Sequence, residues 1–154
     1  MKPLDQIKQD LEAKFSGAQI ALEGTSLVVP KERWFEIARY LKDAPEYILD
    51  YLSSVTGVDY RQYLEVVYHL YSITKKEGPL TIKVRTDMEK SAVPSVTPIW
   101  RSAEFQEREA YDLVGIRFEG HPDLRRILMW DEFQFHALRK DYVLENQDRP
   151  PEEF

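Results

Sequence analysis

Between Glu107 and Tyr142 the chain reads EREAYDLVGIRFEGHPDLRRIL and later LRKDY, dense in charge yet laced with apolar residues. Ionised groups drawn into a packed structure need partners, because desolvating a lone charge is costly. Glu107, Arg108, Glu109 and Asp112 come first. A Gly stop, a His121-Pro122 turn, the pair Arg125-Arg126 and the run Arg139-Lys140-Asp141 follow. That order reads as a framework for docking, not a reaction centre.

The 154 residues, 43% of them hydrophobic, can bury one core and are most economically a single domain. A net charge of -6 argues against general affinity for nucleic acid or anionic lipid. No apolar run approaches the roughly 18 residues that span a bilayer, and the polar start MKPLDQIKQD lacks the apolar core of a secretory signal. The chain therefore reads as cytoplasmic by itself. Without cysteine it has no disulfide, thiol nucleophile, cysteine-held iron–sulfur cluster or cysteine-held structural zinc.

The organisation is that of an α+β domain. Leu4, Ile7, Leu11 and Phe15 share a helical stripe ended by Gly17, and Gln19–Leu22 and Ser26–Val29 flank a Glu23-Gly24 hairpin turn. A second helix spans Lys31–Lys42. Ile48–Thr56, Gln62–Ile73 and Pro79–Thr86 are strand candidates for an antiparallel meander, with breaks at Gly57-Val58-Asp59 and Lys75–Gly78. Leu80, Ile82 and Val84 alternate with Thr81, Lys83 and Arg85, so the last strand has one wet face. The middle strand carries apolar bodies on both faces, which suggests a central or covered position. Thr97-Pro98 is expected to open a third helix that Gly115 closes. The fold class is thus a mostly antiparallel sheet packed with about three helices. Residues 1–144 form the domain, with an extended C-terminal arm from about 116. Residues 145–154 form a polar tail, flexible or ordered on a partner.

On a helical wheel, Ile99, Phe105, Gln106, Ala110 and Leu113 face one way and Glu104, Glu107, Arg108 and Tyr111 the other, which places Glu109 in the apolar sector. A carboxylate there needs Arg125, Arg126 or Arg139 as a partner within the chain, an interface partner, or a raised pKa of the kind found at proton-transfer sites. Glu107 and Glu109 lie about 160° apart on the wheel and would not converge on one substrate atom. His69, His121 and His136, with Asp123 or Asp131, lack the spacing of a metal site; a His that bonds its own turn is the simpler reading. Arg125-Arg126 and Arg139-Lys140 beside Leu124, Ile127 and Leu138 resemble interface anchors, with a solvated basic face or a nucleic-acid contact as the alternatives. There is no phosphate loop and no GxSxG elbow, and Ser53-Ser54 has no evident base.

Further order emerges from spacing. Glu107-Arg108-Glu109, two residues, Asp112-Leu113-Val114, six residues, His121, three residues and Arg125-Arg126-Ile127-Leu128 form a joined series, with Ser95–Trp100 ahead and Leu138-Arg139-Lys140-Asp141-Tyr142 behind. This series resembles the signature of the C subunit of proton-pumping NADH:quinone oxidoreductase, the 30-kilodalton subunit family of respiratory complex I. Two positions depart from that pattern: Met129-Trp130 follows the Ile-Leu pair where a proline is common, and Ala137 replaces the usual Pro before Leu-Arg-Lys-Asp. The resemblance implies a cofactor-free, non-catalytic subunit of the peripheral arm. Such a subunit braces electron transfer from NADH to quinone by docking the hydrogenase-like D subunit and the iron–sulfur subunits of B and I type. FMN and the iron–sulfur clusters would reside in those partners, and the complex would sit on the cytoplasmic side of the inner membrane. It further implies that Glu107, Arg108, Glu109, Asp112, His121, Arg125, Arg126, Arg139, Lys140 and Asp141 are motif or docking residues. Membrane-bound hydrogenases and F420H2- or ferredoxin-linked quinone complexes use similar subunits and remain alternatives. Readings from other classes are a stand-alone acid–base enzyme using His121 with Glu109 or Asp112, and a free-standing interaction module.

Overall fold

Period-two alternation in β5 (Glu77–Thr86) sends Leu80, Ile82 and Val84 into the core, and the same rule organises the rest of the sheet. The structure, a computed structural model, describes residues 1–143. Its main sheet has five strands in the order β1 (Ala21–Glu23), β2 (Ser26–Val29), β5, β4 (Leu64–Ser72), β3 (Tyr51–Asp59). β3, β4 and β5 form the expected antiparallel meander, and β1 and β2 the expected hairpin. The hairpin joins the meander through a parallel pairing of β2 with β5, in which Leu27 stands opposite Ile82 and Val29 opposite Val84. β4 is an interior strand, flanked by β5 and β3, as its two-sided apolar pattern suggests; β5 is the middle one.

Leu64, Val66, Tyr68 and Leu70 of β4 are fully buried on one face, together with Leu27, Leu52, Leu80 and Ile82. Ile7 and Leu11 of α1 (Leu4–Lys14) and Trp34, Ile37, Ala38 and Leu41 of α2 (Lys31–Asp43) join them in a single core. The opposite face is half-buried, and there Arg85 pairs with Glu65 at 2.8 Å across β4 and β5. A second, two-stranded parallel sheet joins β6 (Ala92–Pro94) to β7 (Arg117–Glu119).

Strand starts shift from the sequence reading, β3 beginning at Tyr51 rather than Ile48 and β5 at Glu77, inside the break expected at Lys75–Gly78, and two larger differences bear on the site. Gly57-Val58-Asp59 is no break: β3 runs through it, pairing with Val66, Glu65 and Leu64, and the reversal comes at 60–63. Glycine is needed at 57 for close approach, not for a turn. A Cβ there would lie 3.2 Å from Val114 Cγ2 and 3.3 Å from Ala110 Cβ, so this is where α3 (Ala103–Val114) sits down on the sheet. The third helix starts at Ala103, not at Thr97. The Thr97 hydroxyl is bonded to Ser95 at 2.8 Å, and Val96–Arg101 forms a turn in which the Ile99 and Trp100 N–H groups both donate to the Val96 carbonyl. Trp100 anchors that turn by donating from Nε1 to the Leu49 carbonyl at 2.9 Å.

Replacing Gly57 by Val is expected to wedge α3 from β3 and to cost about 1–3 kcal/mol in urea unfolding, the usual penalty of overpacking. An unchanged midpoint would show that the helix does not rest on this glycine.

Candidate functional site

The buried stripe of α3 is Ala103, Glu107, Ala110 and Val114, spaced at four, three and four residues and pressed on β3. Gln106 fastens one edge by accepting the Val55 N–H at 2.8 Å, and Ser102 donates to the Leu52 carbonyl. Glu109 and Phe105 are exposed, so the expected apolar sector is misplaced and Glu109 is not the buried acid. A wheel that takes Ile99 as a guide starts from a residue preceding the helix; it turns Glu107 and Arg108 away from the apolar sector and leaves Asp112 in neither sector. All three are buried, since backbone groups elsewhere in the chain satisfy them.

Asp112 is the hub. Its fully buried carboxylate accepts Arg126 Nη1 on Oδ1 at 2.6 Å, and on Oδ2 the successive N–H groups of Ile127, Leu128 and Met129 at 3.0, 2.7 and 2.9 Å. Three consecutive amides aimed at one oxygen form an anion-binding nest. Met129 stands where a proline would supply no N–H. Burial by itself would raise this carboxyl; the Met129 and Leu128 amides, Arg126 and the Ile127 amide outweigh it and hold it below the ordinary range. Arg108 adds a second fastening, donating to the Arg125 and Arg126 carbonyls at 3.1 and 2.9 Å.

The last carbonyls of a helix have no partner inside it. In α3 the residues 126–139 supply the missing donors. Gly115, left-handed at φ 80°, donates to Tyr111. Arg126 and His136 Nδ1 donate to the Asp112 carbonyl at 3.2 and 2.9 Å, Leu138 N–H to Leu113 at 2.8 Å, and Arg139 to Val114. α3 has no basic residue in its own last turn, so the cations that suit its negative end arrive from this later segment. A Cβ at 115 would also lie 2.5 Å from the His136 ring, so glycine is required there twice over. Beyond this, Lys140 N–H donates to Asp59 at 2.9 Å, fastening the segment to the end of β3.

The remaining residues of interest are scattered. His121 accepts the Asp123 N–H on Nδ1, which leaves Nε2 to carry the proton donated to the Glu104 carbonyl at 2.9 Å. It bonds neither Glu109 nor Asp112. Arg125 pairs with Asp123 at 2.9 Å in solvent, a contact of small worth. Asp141 is exposed. His69 lies on β4, His121 beside the start of α3 and His136 beside its end; the described residues contain no cluster of three or more metal-ligating side chains. Asp59 and Ser95, which bond Lys140 and Glu107, were not among the expected site residues, although Asp59 stood in an expected break and Ser95 in the run ahead of the signature.

Around this latch lies an apolar surface. Leu128, Trp130, Phe135, Leu138 and Val143 are each 58–80% exposed. Trp130, Phe133, Phe135 and Tyr142 form a chain of rings with centroids 4.8–5.9 Å apart, and Arg126 lies over the Phe133 ring. The tail expected at 145–154 lies outside the described residues.

Asp112→Ala is expected to cost on the order of 3 kcal/mol by chemical denaturation, because it strands Arg126 and three amides, whereas Glu109→Ala should stay within about 0.5 kcal/mol. Asp112 titrates below its ordinary 3.8 when folded, so its contribution is present above that value and is lost as pH falls through the folded one. Unfolding midpoints measured from neutral to strongly acid pH should fall less steeply in Asp112→Asn than in the parent.

Comparison with known proteins adds an independent line. Residues 27–148 match the family described as respiratory-chain NADH dehydrogenase, 30 Kd subunit. The C 2 subunit of NADH-quinone oxidoreductase from Rhizobium meliloti (strain 1021) is 48% identical over 77% of this chain, which spans 66% of that protein's length. The C subunit of the same oxidoreductase from Moorella thermoacetica is 37% identical over 94% of this chain and 98% of its own. A solved structure of the trypsin-resistant fragment of Nqo5 is 37% identical and superposes with a TM-score of 0.60, covering 79% of this chain and 98% of that one. The chain belongs to the respiratory-chain NADH dehydrogenase 30 Kd subunit family.

Proposed function

We propose that this chain is a structural subunit of the peripheral arm of a proton-translocating NADH:quinone oxidoreductase, carrying no cofactor and bracing the subunits that do. One observation carries the reading. The buried charges Arg108 and Asp112 spend their hydrogen bonds within the chain, on its backbone and on Arg126, and in doing so hold an exposed row of Leu128, Trp130, Phe135 and Leu138 in fixed positions. Sites for turnover leave reactive groups facing a cleft. Here Asp112 and Arg126 are occupied, and Arg108 is held by two carbonyls. Membership of the family makes the partners other subunits of that complex. The hydrogenase-like and iron–sulfur subunits are the ones we assign to the apolar row, with FMN and the clusters residing in partner chains. Among the described residues no helix is long and apolar enough to cross a membrane, which fits attachment through partners. We place the assembly on the cytoplasmic side of the inner membrane.

Solubilised native membranes from cells carrying a tagged chain provide the test. Iron–sulfur subunits of the oxidoreductase should co-purify with the parent and be depleted at least about tenfold, a loss near 1.4 kcal/mol, in a Trp130→Asp, Leu138→Asp double variant that still folds. Recovery of the parent as a free monomer, with no iron–sulfur polypeptide attached, would refute the assignment.

A further inference from the structure

Apart from the latch, α3 carries a buried acid with no cation. Glu107 is fully enclosed, and among the described residues no lysine, arginine or histidine pairs with it. Its Oε1 accepts the Val96 N–H at 2.8 Å, and its Oε2 lies 2.6 Å from Ser95 Oγ. Ser95 Oγ lies in turn 2.8 Å from Thr97 Oγ1 and accepts the Thr97 N–H at 3.2 Å. Thr97 is half-buried and, with Pro98, Arg101, Glu104 and Gly120, lines a surface groove of about 600 Å³. A row of three oxygens therefore runs from the core to water.

Each hydroxyl carries one hydrogen, so the row has two self-consistent states. With Glu107 neutral, its O–H donates to Ser95, Ser95 to Thr97, and Thr97 to water in the groove. With Glu107 ionised, Thr97 donates to Ser95 and Ser95 to the carboxylate. Passage between them breaks the O–H bond at Glu107 and forms one at Ser95. It then shifts the Ser95 proton to Thr97 and releases the Thr97 proton to water. We propose that Glu107 is a proton-binding site of the folded chain, filled and emptied from the groove through the Ser95 and Thr97 hydroxyls.

Charged groups on the packed elements do not intervene. Lys42 of α2 donates to the Ile99 carbonyl, Arg108 turns to the Arg125 and Arg126 carbonyls, and Arg101 and Glu104 stand at the groove. From β4, Tyr68 presents a buried phenol beside Trp34; burial first and the Glu107 charge second push it well up, so it stays neutral. Burial pushes the Glu107 carboxyl up to about 7, with the Ser95 hydroxyl and Val96 amide offsetting part of the rise. The unfolded chain loses this proton near the ordinary 4.5, so the folded state holds one more between the two values. Stability from this group is full below 4.5, falls as pH rises toward about 7, and is level above it.

Carbon-13 NMR of the full chain, labelled at glutamate carboxyls, tests the site. One carboxyl should titrate near pH 7, vanish in Glu107→Gln, and move to higher pH in Ser95→Ala, where a donor to the carboxylate is gone. The ratio of folding constants of Glu107→Gln and parent should shift in favour of the variant by on the order of 100-fold between pH 4.5 and about pH 8. If Glu107→Gln does not fold, the parent titration and Ser95→Ala decide. Titration of every glutamate below roughly pH 5.5, or a midpoint unmoved by Ser95→Ala, would overturn the proposal.

Discussion

The Asp112 carboxylate is the point on which the C-terminal third of the structure turns. One oxygen takes a guanidinium and the other three successive amides, so this one side chain of α3 fixes the amides of 127–129, while Arg108 holds the carbonyls just before them. Burying that charge is tolerable only because every lone pair facing inward is answered. The exchange is mutual. Asp112 holds the segment, and the segment returns Arg126, His136, Leu138 N–H and Arg139 to the unpaired carbonyls of the same helix.

This mutual capping connects to the sheet at two places. Gly57 lets α3 lie against β3 with side chains at van der Waals distance, and Asp59, two residues on, receives the Lys140 amide. Strand, helix and trailing segment thus close a ring of contacts. The exposed leucines and aromatic rings between positions 128 and 142 are displayed on a backbone fixed from behind, which lowers the entropy that a partner must remove on binding. That is the physical content of the bracing role proposed for the subunit.

Elements defined by their own periodicity were legible in the sequence. The stripe Leu4, Ile7 and Leu11, the alternation in β5 and the stop at Gly115 each state a local rule that the fold obeys. The choice between Glu107 and Glu109 was not legible, because what keeps Glu107 inside is Ser95 and a backbone amide eleven residues away, and amides carry no letter. The same holds for the start of α3. Thr97-Pro98 is a sound opening signal that yields to the buried Trp100 and to a hydroxyl already engaged with Ser95. Gly57 misled for a related reason, since the close approach it permits involves residues more than fifty positions later. The charged signature was visible as a cluster, but its role as a helix cap requires knowing which carbonyls it reaches.

The distance along the chain between α3 and its cap has a bearing on biosynthesis. Val114 receives its donor from Arg139, 25 residues downstream. A ribosome makes the five strands of the main sheet and then the helix before the groups that finish it, so the nascent polypeptide for a time carries an open helix end. Closure of that end must wait for Arg139, and a stop codon before it leaves the Val114 carbonyl without the donor that caps it.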